Sequence, residues 1–218
     1  MQFKSRVQAR ACLLGLFLAF ATPLPAAFAQ SLPRPAEFYF DEDSAARPII
    51  AIEGSDDATV AQLLRLRDRG GRNAEQAVAQ LAHLSMAAGR TDTGMALYAQ
   101  AIQETSPGSQ RRRALQWNQA WDLYRSGDVE AALALWAEAG SNPVVRHAWV
   151  PPTLALALWK LDRRAEAVAW YAAAVRTWPD RWSDPAALPG LLPDWREEDR
   201  ATLAEVLAAW QADPPAWP

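Results

Sequence analysis

The sequence predicts an all-α chain, built from about three repeated helical hairpins and closed by a C-terminal helix. Half of its 218 residues are hydrophobic, and β-branched residues are sparse beside alanine, leucine, arginine and glutamate, a bias toward helix. Turn residues Gly89, Gly127 and Asp162 recur at intervals of 38 and 35, within the range of helical repeats. Small and aromatic residues hold fixed offsets from each of these anchors.

In chain order, Lys4, Arg6 and Arg10 give a basic start, and Ala11 to Ala21 is almost wholly apolar. Pro23 and Pro25 follow, and Ala27-Phe28-Ala29 supplies a small-x-small cleavage site, so residues 1–29 read as a cleaved export signal. The apolar run is short for a permanent span, and a retained signal anchor is the alternative. Residues 30–54, with prolines at 33, 35 and 48 and the acidic Asp41-Glu42-Asp43, read as an extended leader. Ser55 can cap a helix over 55–70, which Gly70-Gly71 ends.

The repeats occupy 72–179. Asp162 fits the anchor position because aspartate tolerates the left-handed conformation that glycine adopts freely. Seven residues before the anchors stand Ala82, Ala120 and Ala155; five after stand Gly94, Ala132 and Ala167. Aromatics follow at Tyr98, Trp136 and Tyr171, then Ala101, Ala139 and Ala174, and Pro107, Pro143 and Pro179 end the units. Small residues let paired helices approach to about 8–10 Å, and the aromatic fills the wedge between successive units. A proline-rich link at 180–193 leads to a capping helix within 194–212, with Asp194 as N-cap, Glu197 at the third helical position, and Leu203, Val206, Leu207 and Trp210 on one face.

These columns resemble the tetratricopeptide repeat family over roughly residues 75–179. Unit three is the cleanest; Gln116, Gln119, Gly94 and Ser85 depart from the pattern. The resemblance implies a right-handed α-solenoid whose inner groove is lined by the first helix of each unit. Carried over residue by residue, the groove comprises Gln76, Ala79, His83 and Met86, then Ala114, Trp117, Trp121 and Tyr124, then Trp149, Pro152, Leu156 and Trp159. Trp117, Trp121 and Tyr124 share one helix face in any register. Shifting unit two by one residue would turn those three into core; the glycine-anchored register is adopted because it aligns Ala120 with Ala155 and Leu123 with Leu158. The family's lysine–asparagine carboxylate clamp has no counterpart at Ala79, Trp117, His83 or Trp121.

Partner classes follow from what the chain holds. Without residues 1–29 it carries 19 basic and 25 acidic residues, net −6, which disfavours backbone binding to nucleic acid. Arg111-Arg112-Arg113 reads as a solvated linker, and Glu130, Glu138 and Glu166 as solvated helix carboxylates. Cys12 lies inside the signal, leaving no thiol for disulfide, nucleophile or metal. His83 and His147 have no third ligand at metal spacing, and no nucleotide-binding, hydrolase or zinc-protease motif is present. No cofactor is implied. Trp136, Trp170 and Tyr171 are expected in the core, whereas Trp178, Trp182, Trp195 and Trp217 pack the cap or stay exposed.

The sequence therefore points to a non-enzymatic, periplasmic or secreted scaffold that binds a protein or peptide through His83, Met86, Trp117, Trp121, Tyr124, Trp149, Leu156 and Trp159. The alternative is a polysaccharide- or peptidoglycan-associated module stacking sugars on tryptophan.

Overall fold

The computed structural model describes residues 32–35, 39–142 and 145–216. The export signal, Pro143 and Trp217 lie outside the described residues. Those described are all-helical apart from one isolated parallel bridge, Asp41 to His147. No helix among them is long and apolar enough to cross a membrane.

Helix α1 (Asp57–Arg69) starts one residue later than the Ser55 cap predicts. Asp56 is the cap: its carboxylate accepts the Thr59 N–H at 2.8 Å and the Thr59 hydroxyl at 2.6 Å. Gly70 and Gly71 both take positive φ and end the helix.

Three hairpins follow: α2 (Arg72–Ala87) with α3 (Thr91–Gln103), α4 (Gln110–Ser126) with α5 (Val129–Ala139), and α6 (Val150–Lys160) with α7 (Arg164–Thr177). Their turns are built alike. Gly89, Gly127 and Asp162 have φ of 73°, 96° and 58°. After each anchor, the next N–H reaches back to a carbonyl in the first helix: Arg90 to Ser85, Asp128 to Leu123, and Arg163 to Leu158, at 2.9, 3.0 and 2.9 Å. This is the closing bond of a Schellman turn, and it satisfies carbonyls that the helix end leaves open. The second helices also begin alike, with Gly94, Ala132 and Ala167 donating to Arg90, Asp128 and Arg163.

The small and aromatic columns are all buried. Ala82, Ala120 and Ala155 are fully covered, as are Tyr98, Trp136 and Tyr171. The departures have local causes. A Cβ at Gly94 would stand 2.5 Å from Met86 Cγ, so the bulk lies on the facing helix instead. Ser85 is buried because its hydroxyl donates to the Leu81 carbonyl at 2.7 Å, and Gln116 donates to Glu138 at 3.0 Å.

Helix α1 packs on α2, the second hairpin meets the first through α2 and α3, and α6 packs on α5. The link is partly helical, with α8 (Pro179–Trp182), a 3-10 turn (Pro185–Ala187) and α9 (Leu188–Leu191). Prolines in the first turns of these short helices supply a preset φ. The terminal helix α10 (Glu197–Ala212) packs against α6 and α7. Its N-cap is Arg196, not Asp194, and Glu197 is its first residue. Trp195 is buried, and Arg200 Nη1 bonds the Leu192 and Trp195 carbonyls, so the chain turns there before the helix starts. Leu203, Val206 and Leu207 face the core, with Trp210 partly covered beside them.

Candidate functional site

The first helices α2, α4 and α6 carry the residues assigned to the groove, and the chain's own segments lie across them. Met86, Trp117, Trp121, Tyr124 and Leu156 are buried. Trp121 meets Trp136 and Trp195 edge-on, with ring centroids 5.0 and 4.8 Å away. Tyr124 stands close to Asp199 of α10, and its hydroxyl is pushed up by burial and by that carboxylate. An open aromatic groove is thus replaced by a filled one. The glycine-anchored register holds, yet the tryptophans are core, because the C-terminal segment covers what the hairpins alone would expose. Met86 fills the space over Gly94. Trp149 and Trp159 are half-buried and engaged: Trp149 Nε1 donates to Asp43 at 3.2 Å and Trp159 Nε1 to Glu205 at 2.8 Å. Of the remaining groove residues, Ala79 and Pro152 are buried, Ala114 is half-buried and Gln76 is exposed.

The other segment is the leader. Residues 39–54 run without regular secondary structure over the hairpins, from the end of α7 back to α2. The Tyr39 N–H donates to Thr177 at 3.3 Å. Asp41 bridges residues 146–148, accepting the Ala148 N–H at 2.8 Å and donating to the Arg146 carbonyl at 3.3 Å. Its carboxylate lies 3.3 Å from Nδ1 of His147, a buried imidazole that also stands 3.5 Å from Asp43. Glu42 pairs with Arg181 at 3.3 Å.

Asp43 anchors this stretch. It adopts the left-handed region, with φ 42°, and its carboxylate takes Arg113 Nε and Trp149 Nε1, both at 3.2 Å. Burial pushes the carboxyl up, but Arg113, Trp149 and the Ala45 N–H together outweigh it and hold the group below its ordinary value.

Beyond Arg47 the grip passes to two side-chain amides. Asn118 accepts the Ile49 N–H at 3.1 Å and donates to the Arg47 carbonyl at 2.9 Å. Gln80 accepts the Ala51 and Ile52 N–H groups at 2.8 and 3.0 Å and donates to the Ile52 carbonyl at 2.6 Å. Both residues escaped the sequence reading, although a signal for them exists. Gln80, Asn118 and Thr153 each stand nine residues before an anchor, a polar column inside an otherwise apolar pattern.

His83 is less occupied. Its Nδ1 lies 2.7 Å from Asp122, and the buried Asp122 also accepts the Tyr98 hydroxyl at 2.6 Å. Burial, reinforced by Asp122, pushes Tyr98 well above its ordinary value, so it stays a donor. An ionised carboxylate can only accept, which places the His83 proton on Nδ1. Nε2 is left as the ring's remaining polar atom, at a cavity of about 300 Å³ lined also by Gln80, Trp117, Arg125 and leader residues 48–50. A second cavity, of about 210 Å³, lies between the leader and the link, with Trp117, Trp149, Trp178, Trp182 and Trp195 in its wall. Trp117 borders both. Among the described residues no group of three or more His, Cys, Asp or Glu side chains is placed to hold a metal ion.

No family model matches the chain, no curated protein matches its sequence, and no solved structure matches its fold.

Proposed function

We propose that this chain is a non-enzymatic adaptor of tetratricopeptide type, exported from the cytoplasm, that holds an extended polypeptide across its first helices. Support for the repeat assignment, and for a right-handed solenoid capped by α10, comes from the like-built turns and the buried small and aromatic columns. Stacked hairpins of this kind leave one face built from first helices, and such faces bind linear segments.

One observation carries the functional reading: an extended segment already lies on that face. Side-chain amides from two consecutive units hold its backbone. Amide-to-backbone recognition does not depend on the side chains of the bound segment, so it suits a binding surface better than a fixed core contact.

The test is a photo-crosslinking residue at His83 in the full chain, expressed in its own host, with the same residue at Leu64 on α1 as control. An adduct with a second polypeptide at His83 alone is expected. Adducts confined to the chain itself, or equal yields at both positions, would remove the adaptor reading.

A second reading, a glycan-binding module, is favoured by the cavity with tryptophan walls, because Glu42, Arg181 and Asp194 add polar groups to its five indoles. Titration with soluble peptidoglycan and polysaccharide fragments, read by tryptophan fluorescence, tests it; no response to any of them eliminates it.

A further inference from the structure

We propose that residues 39–54 are an intramolecular stand-in for the partner, and that the segment they imitate is extended, acidic at its start, and read mainly through its backbone. This deepens the adaptor reading and rests on it.

Charge identifies the start of the segment. Asp41, Glu42 and Asp43 are consecutive, and each meets a basic side chain from a different part of the chain. Asp41 lies against His147, Glu42 against Arg181, and Asp43 against Arg113 at the start of α4. Asp43 and its Arg113 partner are well covered, whereas Glu42 and Arg181 are solvated, so the first and third acids set the register and the second adds little. The chain outside residues 1–29 is net acidic, yet it concentrates these basic groups where the acidic stretch lies.

Backbone contacts define the rest. Asn118 and Gln80 between them take the N–H groups of residues 49, 51 and 52 and the carbonyls of 47 and 52. The side chains contribute less. Ile50 is 55% exposed, and Phe40, edge-on to Trp178, is 65% exposed. Both rank among the few large apolar side chains that the described residues leave in solvent. Cavities remain on either side of Trp117 with the leader in place. A segment evolved only to finish a core would bury its large apolar groups and fill such gaps. This one is gripped by polar contacts that another chain can reproduce, and its covalent tether gives it an effective concentration that a competitor must overcome.

The same contacts dictate what the partner segment contains. Two acids spaced i, i+2 are required. Proline is barred at the positions equivalent to 49, 51 and 52, where an N–H is donated. The position equivalent to 50 is permissive.

The experiment uses the full chain with a site-specific protease sequence inserted between the exposed Gly54 and Ser55, and a fluorescent peptide of residues 39–54 as probe. The uncut chain should bind the probe at least tenfold more weakly than the cut chain, because the tethered leader occupies the face. In the cut chain, replacing both peptide aspartates by asparagine should weaken binding at least tenfold. Proline at the Ile49 or Ala51 position should do the same, and alanine at the Ile50 position should change affinity less than twofold. In the intact chain, the Asp41→Ala/Asp43→Ala variant should loosen the leader and admit the probe without cutting. The proposal is overturned if the cut chain loses its helical circular dichroism on dilution, since the leader is then structural. It is equally overturned if asparagine- or proline-substituted peptides bind as well as the parent. A partner crosslinked at His83 that the 39–54 peptide fails to displace sinks this inference and leaves the adaptor reading standing. Specific peptide binding without any crosslinked partner does the reverse.

Discussion

Gly94 tests the hairpin packing on which the face depends. In helix α3, a glycine gives up roughly 0.8–1 kcal/mol relative to alanine. Its two counterparts are alanines, so Gly94→Ala would on propensity alone stabilise the protein. The structure reverses that sign. The new Cβ would lie 2.5 Å from Met86 Cγ, 2.7 Å from Met86 Sδ and 3.0 Å from the Ala82 carbonyl oxygen. Overpacking of this kind costs about 1–3 kcal/mol, so the net effect of Gly94→Ala is a loss of about 1 kcal/mol. Met86→Ala alone opens a void and costs about 2–5 kcal/mol. In that background Gly94→Ala meets only the carbonyl and recovers both propensity and part of the lost contact, a gain of about 1–2 kcal/mol. The two positions should therefore couple by roughly 2–3 kcal/mol, in a double-mutant cycle followed by urea unfolding and far-ultraviolet circular dichroism. On melting, about 1 kcal/mol corresponds to roughly 2–4 °C in a chain of this size, so the shift should change sign between backgrounds. If Gly94→Ala stabilises both backgrounds equally, α2 and α3 do not pack as described.

Three shorter predictions follow from the same contacts. Trp121→Ala, which removes a ring enclosed by Trp117, Trp136 and Trp195, should cost about 3–5 kcal/mol in urea unfolding; an exposed groove tryptophan would cost under about 0.5 kcal/mol. Gln80→Ala removes three backbone contacts worth about 1 kcal/mol each at most, so hydrogen exchange at Ala51 and Ile52 should quicken by roughly 10- to 100-fold while helix α4 keeps its protection. Asp199 is a buried acid in the first turn of α10, and burial, with Glu198 adding to it, holds its carboxyl above the ordinary value. The folded state then binds a proton more readily than the unfolded state, so this group costs stability as pH rises past the ordinary carboxylate range. Asp199→Asn should raise the melting temperature at pH 7, with the gap closing as the pH falls toward 4; a loss at pH 7 would refute this account.

The repeats were legible because each turn needs one residue in the left-handed region, and the chain supplies it visibly. Even Asp162, with no glycine to mark it, was found from its offset to Ala155, Ala167 and Tyr171. The helix caps were less legible, since Ser55 and Asp56 both satisfy the local rule and only the Thr59 contact decides between them. At the last helix, Asp194 has the right chemistry for a cap, but burial of Trp195 moves the start to residue 197. The leader was legible as extended and proline-rich, and no further. Its contacts with Asn118 and Gln80 span 69 and 28 residues, and hydrophobic periodicity carries no trace of such pairs. The polar column was present, yet it reads locally as imperfection in an apolar face.

The aromatic-rich second half follows from how the array ends rather than from a ligand. Within the array, a hairpin is covered by the two helices of its neighbour. The last hairpin has only α10 and a short link, so less backbone must cover the same apolar face. Larger side chains make up the difference: a tryptophan buries roughly 150–250 Å², worth about 4–6 kcal/mol at 25 cal/mol per Å² before entropy is counted. Trp121, Trp136 and Trp195 form one edge-to-face group joining the second hairpin to the segment before α10, while Trp182 closes over Tyr171 from the link. These rings are consumed in closing the molecule. Recognition is left to groups that closure does not need, namely the amides at 80 and 118, the cations facing the acidic stretch, and His83 with its Nε2 at a cavity. Aromatic count and binding capacity are therefore separate properties of this chain, and a search for its partner should follow the polar column and not the tryptophans.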